Sequence, residues 1–298
     1  GTAFDYELGK WGGGVGEGAS LTYSIATAST YEFTDYINYA LDNNYSDWAG
    51  IFDDATFAVG SFTSAEVASI KTAVEGWDDF SGLNLTYVDE SVSLDGGDIR
   101  IIKAPLDELD GMALPPGYFV REIDGSVLID LEYGGGLGNL DYLTTLVAHE
   151  VGHALGLAHP FDGMDSGALN VAPSPLDNYT YTLMSYSGYH TGSAFADGYH
   201  VDDGNTVGDW FNPSTPMELD ILAIQHLYGV GENNLGDTYY TFEDDGYMME
   251  ALADTGGDQD TLDLSNLTNG VEVFLEPDSW SDLGIADPHI GSTAYNLY

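Results

Sequence analysis

Residues 149–159 read HEVGHALGLAH, and this stretch decides the fold that the sequence predicts. Side chains four residues apart on an α-helix share one face, so His149 and His153 are expected to point the same way, about one turn apart. Gly156 allows the chain to leave the helix, because glycine tolerates the left-handed conformation of a helix end. His159 can then return as a third ligand, so the spacing predicts a metal ion held by three imidazoles.

This ligand set has the chemistry of a catalytic zinc site. Three neutral nitrogens leave one tetrahedral position open to water, whose pKa zinc lowers to about 7. Glu150 directly follows the first histidine and is the candidate general base for that water, which would attack a peptide carbonyl polarised by the metal. With seven histidines among 298 residues, a chance arrangement at this spacing is rare.

Three segments together resemble a known family. The extended motif is similar to that of the metzincin zinc peptidases, and Pro160 directly after the third histidine resembles the serralysin family. Residues 183–186 (LMSY) resemble its Met-turn, and residues 219–229 (LDILAIQHLYG) resemble its third conserved helix. The resemblance spans about residues 20–298. A metzincin of another family is the alternative, which Pro160 and the 219–229 segment disfavour.

The resemblance implies further roles around the zinc site. Met184 would form an apolar floor beneath the metal. Tyr186 would be an auxiliary zinc ligand whose hydroxyl moves away to support the oxyanion. Substrate would bind as an extended strand, antiparallel to a sheet edge; the candidates for that edge and its bulge lie in residues 111–130, at Gly111–Leu114 and Ser126–Asp130.

The resemblance also implies a calcium ion where two domains meet. Oxygen-rich glycine turns suit calcium, and the positions carried over are Asn234, Gly236, Thr238, Asp254, Gly256 and Asp260. This chain has Asn234 where the family usually has arginine. One extra residue after Gly257 makes Asp258 an alternative ligand to Asp260. Solvated Asp/Gly turns without an ion are the competing interpretation.

The remaining histidines have plainer expectations. We expect His226, on a helix among apolar residues, to be a hydrogen-bonded core residue. His190 and His200 follow the Met-turn and are expected near the rim of the cleft. His289 is expected at the surface.

The predicted fold class is α+β, a metzincin zincin fold with a twisted, mostly parallel mixed sheet and an active-site helix, followed by the beginning of an all-β calcium-binding domain. Residues 1–230 form the zinc peptidase domain, with an upper half at about 20–159 and a lower half at about 160–230. Residues 231–298 start the β domain, which is truncated before the glycine-rich repeats of the family. Residues 9–18, rich in glycine, are interpreted as a loose leader.

The helices and strands of this fold are predicted from local sequence patterns. Helices are predicted from Ser64 towards Phe80, from a cap at Asn139 or Asp141 to Leu155, and from a capping-box Thr215 to Tyr228. The predicted strands are residues 21–25, 85–88, 98–102 and 126–130.

Charge and composition limit the partners. Fifty acidic and five basic residues give a formal net charge of −45, which repels nucleic acid and anionic membranes. Fifty carboxylates are far more than a few calcium ions need, so the excess is better explained as an adaptation to high ionic strength. Zero cysteines exclude thiolate zinc sites, and no apolar stretch is long enough to span a membrane.

The function predicted from the sequence is a secreted, extracellular zinc-dependent endopeptidase with Zn²⁺ and Ca²⁺ as cofactors. Its expected partners are protein and peptide substrates, with a proteinaceous inhibitor as a further possible partner. We expect the natural gene product to be longer, with a propeptide upstream and repeats downstream. The alternative is a non-proteolytic calcium-binding surface or matrix protein that keeps a zincin scaffold, although such a scaffold would not need Glu150 and Tyr186.

Overall fold

The structure, a computed structural model, describes part of the chain in full. The described ranges are residues 9–27, 59–92, 96–106, 109–117, 124–132, 140–161, 176–186, 213–232, 234–242, 249–275 and 279–284, with the backbone of short strands between residues 190 and 207. The chain divides into two compact units. The first comprises residues 1–78 and 83–158, and the second comprises residues 79–82 and 159–298.

A five-stranded sheet forms the centre of the first unit, in the order β2-β1-β3-β5-β4. Neighbouring strands are parallel except for β4, which runs antiparallel to β5 at the sheet edge. The strands are β1 (Ala19–Ile25), β2 (Leu83–Tyr87), β3 (Ile99–Ala104), β4 (Gly111–Ala113) and β5 (Ser126–Asp130). The predicted mixed, mostly parallel sheet is therefore confirmed.

The middle of this sheet is apolar on both faces. Ile101 and Ile102 are adjacent in β3 and therefore point to opposite faces, yet both are fully buried. Ile101 pairs with Val127 of β5, which is also buried. A strand covered on both sides is the usual situation in a parallel sheet with helices packed on it.

Two helices of the first unit lie within the described residues. Helix α1 (Ser64–Glu75) is capped by Thr63, whose hydroxyl accepts from the Glu66 N–H, while the Glu66 carboxylate accepts from the Thr63 N–H at 2.6 Å. The helix stops at Glu75 rather than running on to Phe80, and a single 3₁₀ turn (Asp78–Phe80) follows. Helix α2 (Leu140–Ala154) packs against α1.

The interpretation of residues 9–18 as a loose leader is wrong. The ammonium group of Lys10 donates to the carbonyl oxygens of Trp11, Gly13 and Glu17 at 2.8, 3.0 and 3.3 Å. The glycine-rich segment is thus closed into a defined loop around one cation. Glycine content indicates conformational freedom of the isolated segment, and the lysine removes that freedom here.

The second unit contains helix α3 (Glu218–Tyr228). The predicted cap at Thr215 is wrong: the helix begins after Met217, whose N–H donates to the Asp220 carboxylate at 2.9 Å. Thr215 instead accepts a hydrogen bond from the N–H of Ala251 at 2.8 Å. For α2, Asn139 lies outside the described residues, and Asp141 is already inside the first turn of the helix.

His226 is exposed, so its prediction as a core residue is also wrong. The buried face of α3 is formed by Asp220, Ile224 and Tyr228, each four residues from the next. His226 lies halfway between Ile224 and Tyr228 in sequence, which rotates it about 200° from each, onto the opposite side of the helix.

Short strands are also described in the second unit. Two hairpins pair β6 (His190–Thr191) with β7 (Ala194–Phe195) and β8 (His200–Asp202) with β9 (Asn205–Val207), which places His190 and His200 on strands. Strands β10 (Tyr239–Thr241) and β11 (Thr261–Asp263) pair in parallel. His289 lies outside the described residues. The division into domains at residue 230 and the all-β domain beyond it remain predictions.

Candidate metal centre and active site

Helix α2 carries the predicted motif, and a fully buried apolar stripe holds this helix in place. Leu143, Val147 and Val151 follow each other at intervals of four residues, and each is inaccessible to solvent. The indole N–H of Trp77, itself completely buried, donates at 3.1 Å to the carbonyl of Ala148, the residue before His149. The helix is thereby fixed both along its apolar stripe and at its backbone.

The three predicted histidines come together. One ligand nitrogen from each of His149, His153 and His159 lies within 4.8 Å of the others. The helix ends at Ala154, and Gly156 takes a φ of +103°, a conformation that side chains strongly disfavour. This turn is the predicted exit from the helix, and it carries the chain back to His159 six residues after His153.

The ring of His153 has a defined orientation. Its Nδ1 lies 2.8 Å from the carbonyl oxygen of Leu157. A carbonyl can only accept, so Nδ1 carries the proton of the neutral ring and Nε2 keeps its lone pair. A backbone carbonyl that fixes the second nitrogen in this way is the usual support of a metal-binding histidine. The donor set therefore fits Zn²⁺, which favours imidazole nitrogens.

Glu150 is buried beside these ligands, with 5% of its surface exposed. Burial raises the pKa of its carboxyl group to about 8, because the charged form loses its hydration. A cation bound to the neighbouring histidines would favour the charged form and lower that pKa. A carboxylate whose pKa is raised is a stronger base than an exposed one, so Glu150 is the candidate general base of this site.

An aromatic cluster surrounds the third histidine. The His159 ring stacks on Phe161, with centroids 4.7 Å apart and planes at 10°, and meets Tyr186 edge-on at 4.7 Å. Tyr186 is 63% exposed, so most of its surface faces solvent. The sequence predicts Tyr186 but not Phe161. The signal for Phe161 would have been its aromatic ring two positions after His159.

Two buried carboxylates hold the turn around Met184. Asp220 accepts hydrogen bonds from the Thr182 hydroxyl at 2.6 Å and from the Leu183 N–H at 2.7 Å. Asp177 accepts from the Ser185 hydroxyl at 2.6 Å. Met184 itself is 1% exposed. The turn is therefore a rigid piece of the second unit, built on a residue of α3 that the sequence analysis did not single out.

The predicted edge strand is partly confirmed. Strand β4, at Gly111–Ala113, forms an edge of the sheet, but β5 at Ser126–Asp130 does not, because β5 pairs with β3 on one side and β4 on the other. The outer side of β4 is the side on which an extended peptide can add as a further strand.

The residues predicted to bind calcium lie in two neighbouring loops. The Thr238 N–H donates to the Asp260 carboxylate at 2.9 Å, and the Gly256 N–H donates to Asp254 at 3.1 Å. The Asn234 amide donates to the Ala253 carbonyl at 3.0 Å. Backbone atoms of Gly236 lie next to Gly257.

Asp237 was missed by the sequence analysis. Its carboxylate accepts hydrogen bonds from the N–H groups of Asp258 and Gln259 at 2.8 and 3.0 Å, and these bonds hold its pKa below the ordinary value. The two loops are thus tied together by side-chain to backbone bonds.

Comparison with known proteins agrees with this geometry. A family model described as "Metallo-peptidase family M12B Reprolysin-like" matches residues 129–207, which include the three histidines. The chain is 28% identical over 292 residues to "Metalloprotease AprA" of Pseudomonas entomophila, covering 89% of this chain and 53% of that protein.

Two further relatives show the same likeness. "Serralysin A" of Dickeya chrysanthemi is 29% identical over 247 residues, covering 75% of this chain and 48% of the relative. "Metallopeptidase AprA" of Pseudomonas marginalis is 36% identical over 160 residues, covering 48% and 32%. The chain spans about half the length or less of these curated relatives. The resemblance to the serralysin-type metzincins is confirmed.

Proposed function

We propose that this serralysin-type metzincin is a zinc-dependent endopeptidase that hydrolyses peptide bonds inside extended protein segments. The observation that carries the proposal is the convergence of His149, His153 and His159, with ligand atoms within 4.8 Å of one another. A buried carboxylate, Glu150, directly follows the first of them. Metal ligands next to a buried carboxylate are the parts that metal-assisted hydrolysis needs.

In the proposed mechanism the metal ligands and Glu150 have separate tasks. When bound, Zn²⁺ would supply a Lewis acid for the water and for the scissile carbonyl. The three histidines would hold the ion, and the Leu157 carbonyl keeps the Nε2 of His153 unprotonated. Glu150 accepts the proton of the attacking water and later delivers it to the leaving amine. Burial raises the pKa of this carboxyl, which makes its charged form a stronger base than an exposed carboxylate.

Tyr186 is proposed as an auxiliary zinc ligand that turns away when substrate enters. Its ring packs against the third ligand, His159, while most of its surface stays exposed. A phenol beside the reacting carbonyl can donate a hydrogen bond to the oxyanion that develops there. Met184, buried in the preceding turn, is proposed as the apolar floor of the site.

Substrate is proposed to bind along β4. Among the described strands, β4 pairs only with β5, to which it runs antiparallel. Main-chain hydrogen bonds from the outer side of β4 would hold a peptide regardless of most of its side chains, which suits an enzyme that cleaves many proteins. Gly111 of the same strand lies against Glu150, so a peptide on β4 would pass close to the base.

A calcium ion is proposed between the loops at residues 234–238 and 254–260. The proposed ligands are carboxylate and carbonyl oxygens of Asn234, Gly236, Thr238, Asp254, Gly256 and Asp260, with Asp258 as the alternative to Asp260. Two strands that pair in parallel, β10 and β11, fix the spacing of these loops. Oxygen ligands from glycine turns are what calcium prefers.

We further propose that the protein acts outside the cell. The relatives of this chain bear the names of bacterial metalloproteases, and an excess of 45 negative charges favours solubility in saline surroundings. In the described part of the chain, none of the helices has the length and apolar character that crossing a bilayer requires. A proteinaceous inhibitor is a proposed further partner, since a sheet edge that pairs with extended peptides can also pair with an inhibitor's loop.

The proposed activity is tested with casein and the zinc-loaded chain. Replacing Glu150 by glutamine keeps the shape but removes the base, so we expect the rate to fall by about 10²- to 10⁴-fold while the zinc content stays at the wild-type level. Glu232→Gln is the matched control, because Glu232 is exposed.

Chelators separate the two ions in the same assay. A zinc chelator should abolish cleavage, whereas a calcium-selective chelator should lower the melting temperature before it affects zinc content. A fully active Glu150→Gln protein would refute the mechanism. Zinc-loaded protein without any cleavage would favour the non-proteolytic scaffold, and an unchanged melting temperature would remove calcium from the proposal.

A further inference from the structure

The end of helix α2 leaves carbonyl groups that need partners. The last four carbonyls of an α-helix have no donor within the helix, and here they belong to residues 151–154. Val151 accepts from the N–H of Leu155 at 2.8 Å, and Gly152 accepts from the N–H of Leu157 at 2.9 Å. These bonds form the turn that leads out of the helix.

The last two carbonyls belong to the second proposed zinc ligand, His153, and to the residue after it, Ala154. The carbonyl of His153 accepts from the N–H of Gly156 at 2.9 Å. The carbonyl of Ala154 accepts from the indole N–H of Trp11 at 2.8 Å, across 143 residues of sequence. The first three bonds come from the turn itself, whereas the fourth comes from the segment that precedes strand β1.

Trp11 is held in place from two sides. Lys10 closes the glycine-rich loop by donating to the carbonyl of Trp11 itself, and to those of Gly13 and Glu17. On the other side the indole lies directly on the backbone of Gly125: a methyl group added there would approach its ring to 2.7 Å. The indole therefore reaches Ala154 as a pre-ordered donor, with little side-chain freedom left to lose.

We propose that Trp11 is a positioning residue of the zinc site, which caps the last carbonyl of helix α2 and so fixes the turn between His153 and His159. The turn has a narrow range of conformations, because Gly156 sits at φ +103° and the His153 ring bonds to Leu157 within it. A shift of the Ala154 peptide would move both of these contacts. The segment before β1 thus contributes to the metal site although it holds no ligand.

The proposal rests on the proposed zinc site and does not require proteolysis. A chain that binds zinc but cleaves no protein would refute the proposed activity and leave the role of Trp11 open to the same test.

The first test replaces Trp11 by phenylalanine, which keeps an aromatic ring on Gly125 and removes the donor. Residues that support metal ligands typically change affinity by about 10- to 100-fold, and since Trp11 acts through the backbone we expect the lower end, about 3- to 10-fold weaker zinc binding. Zinc affinity is measured by competition with a chromogenic chelator. Trp11→Gln, which restores an N–H donor, should recover part of the loss. Trp280→Phe, the same chemical change in the second unit, is the control.

The second test uses the unaltered protein and needs no variant to fold. If the indole bond favours zinc binding, zinc must favour the indole bond by the same factor. Hydrogen exchange of the Trp11 indole N–H, followed by NMR, should therefore be slower in the zinc-loaded protein than in the metal-free protein. Equal exchange rates in the two forms, or a Trp11→Phe protein with wild-type zinc affinity, would overturn the proposal even if that variant were less stable.

Discussion

Gly111 and Glu150 show how little room a single residue has at this site. A Cβ atom on Gly111 would lie 3.1 Å from both Cγ and Oε1 of Glu150, and equally close to Leu146. The Gly111 backbone is not in the left-handed region, so alanine can adopt its conformation. A methyl group here would therefore leave the strand intact and displace the buried carboxylate by a few tenths of an ångström.

We predict that Gly111→Ala lowers kcat more than it changes KM. The displaced base meets the water at a poorer distance, and misplacement on the scale of 1 Å can cost about 10²-fold, so a loss of about 5- to 50-fold is expected. Kinetics on a fluorogenic peptide and zinc analysis measure it. Gly270→Ala is the control, because nothing lies within 4 Å of the added carbon. Wild-type kcat in Gly111→Ala would show that Glu150 has free space.

The three histidines and the neighbouring glutamate could be predicted because their relation in the sequence is local. His149, Glu150, His153 and His159 lie within eleven consecutive residues, and helical geometry relates the first three directly. Trp11 could not be predicted, since its acceptor lies 143 residues away and no periodic pattern connects the two. The contact between Gly111 and Glu150 could not be predicted either, because the sequence around Gly111 indicates only an ordinary strand.

At the scale of elements, helix α3 and the Met184 turn are joined through one buried acid. Asp220 accepts hydrogen bonds from Thr182, Leu183 and Met217, so a single side chain both caps the helix and anchors the turn. This also explains why the helix starts where it does, rather than at the capping box expected at Thr215. A cap from inside the helix is invisible to a search for residues that precede it.

We predict that Asp220→Asn destabilises the second unit. An amide NH₂ would face at least one of the three donors, which leaves a buried N–H without an acceptor and costs about 1–3 kcal/mol. Urea unfolding measures the difference, with Asp282→Asn, a partly buried acid elsewhere in the second unit, as the comparison. A difference below the error of that measurement would contradict the anchoring role.

The stability that Asp220 contributes is also expected to depend on pH. Burial raises the pKa of Asp220 to about 6, above its ordinary value of about 3.9. A raised pKa means that the stability this group contributes is fully present below about pH 4 and is lost as the pH rises through 6. The advantage of the wild type over Asp220→Asn should therefore shrink between pH 4 and pH 7.

At the scale of the whole molecule, charge is the dominant property. A formal charge of −45 on 298 residues produces a field that extends about 10 Å from the surface at 0.1 M salt and much further at low salt. Any molecule that approaches the protein crosses this field. Glu150 is buried, so the field comes from surface carboxylates rather than from this group.

We predict that charge steers substrate choice at low ionic strength. Of two peptides with the same cleaved bond, one flanked by lysines and one by glutamates, the basic peptide should have the higher kcat/KM at 10 mM salt. The difference should narrow towards 1 M salt, where the screening length falls to about 3 Å. Equal kcat/KM values at low salt would show that the surface charge does not influence which peptides reach the metal site.

The few basic residues have one more consequence. Of the five in the sequence, four lie in described ranges, and each contacts a partner: Lys10 on carbonyls, Lys71 over the Tyr87 ring, Arg100 on Glu90 and Lys103 on Glu66. From Glu122 to Tyr298 the chain has no lysine or arginine at all. Trypsin cuts only after lysine and arginine, so peptide mapping would return residues 122–298, more than half of the protein, as one fragment.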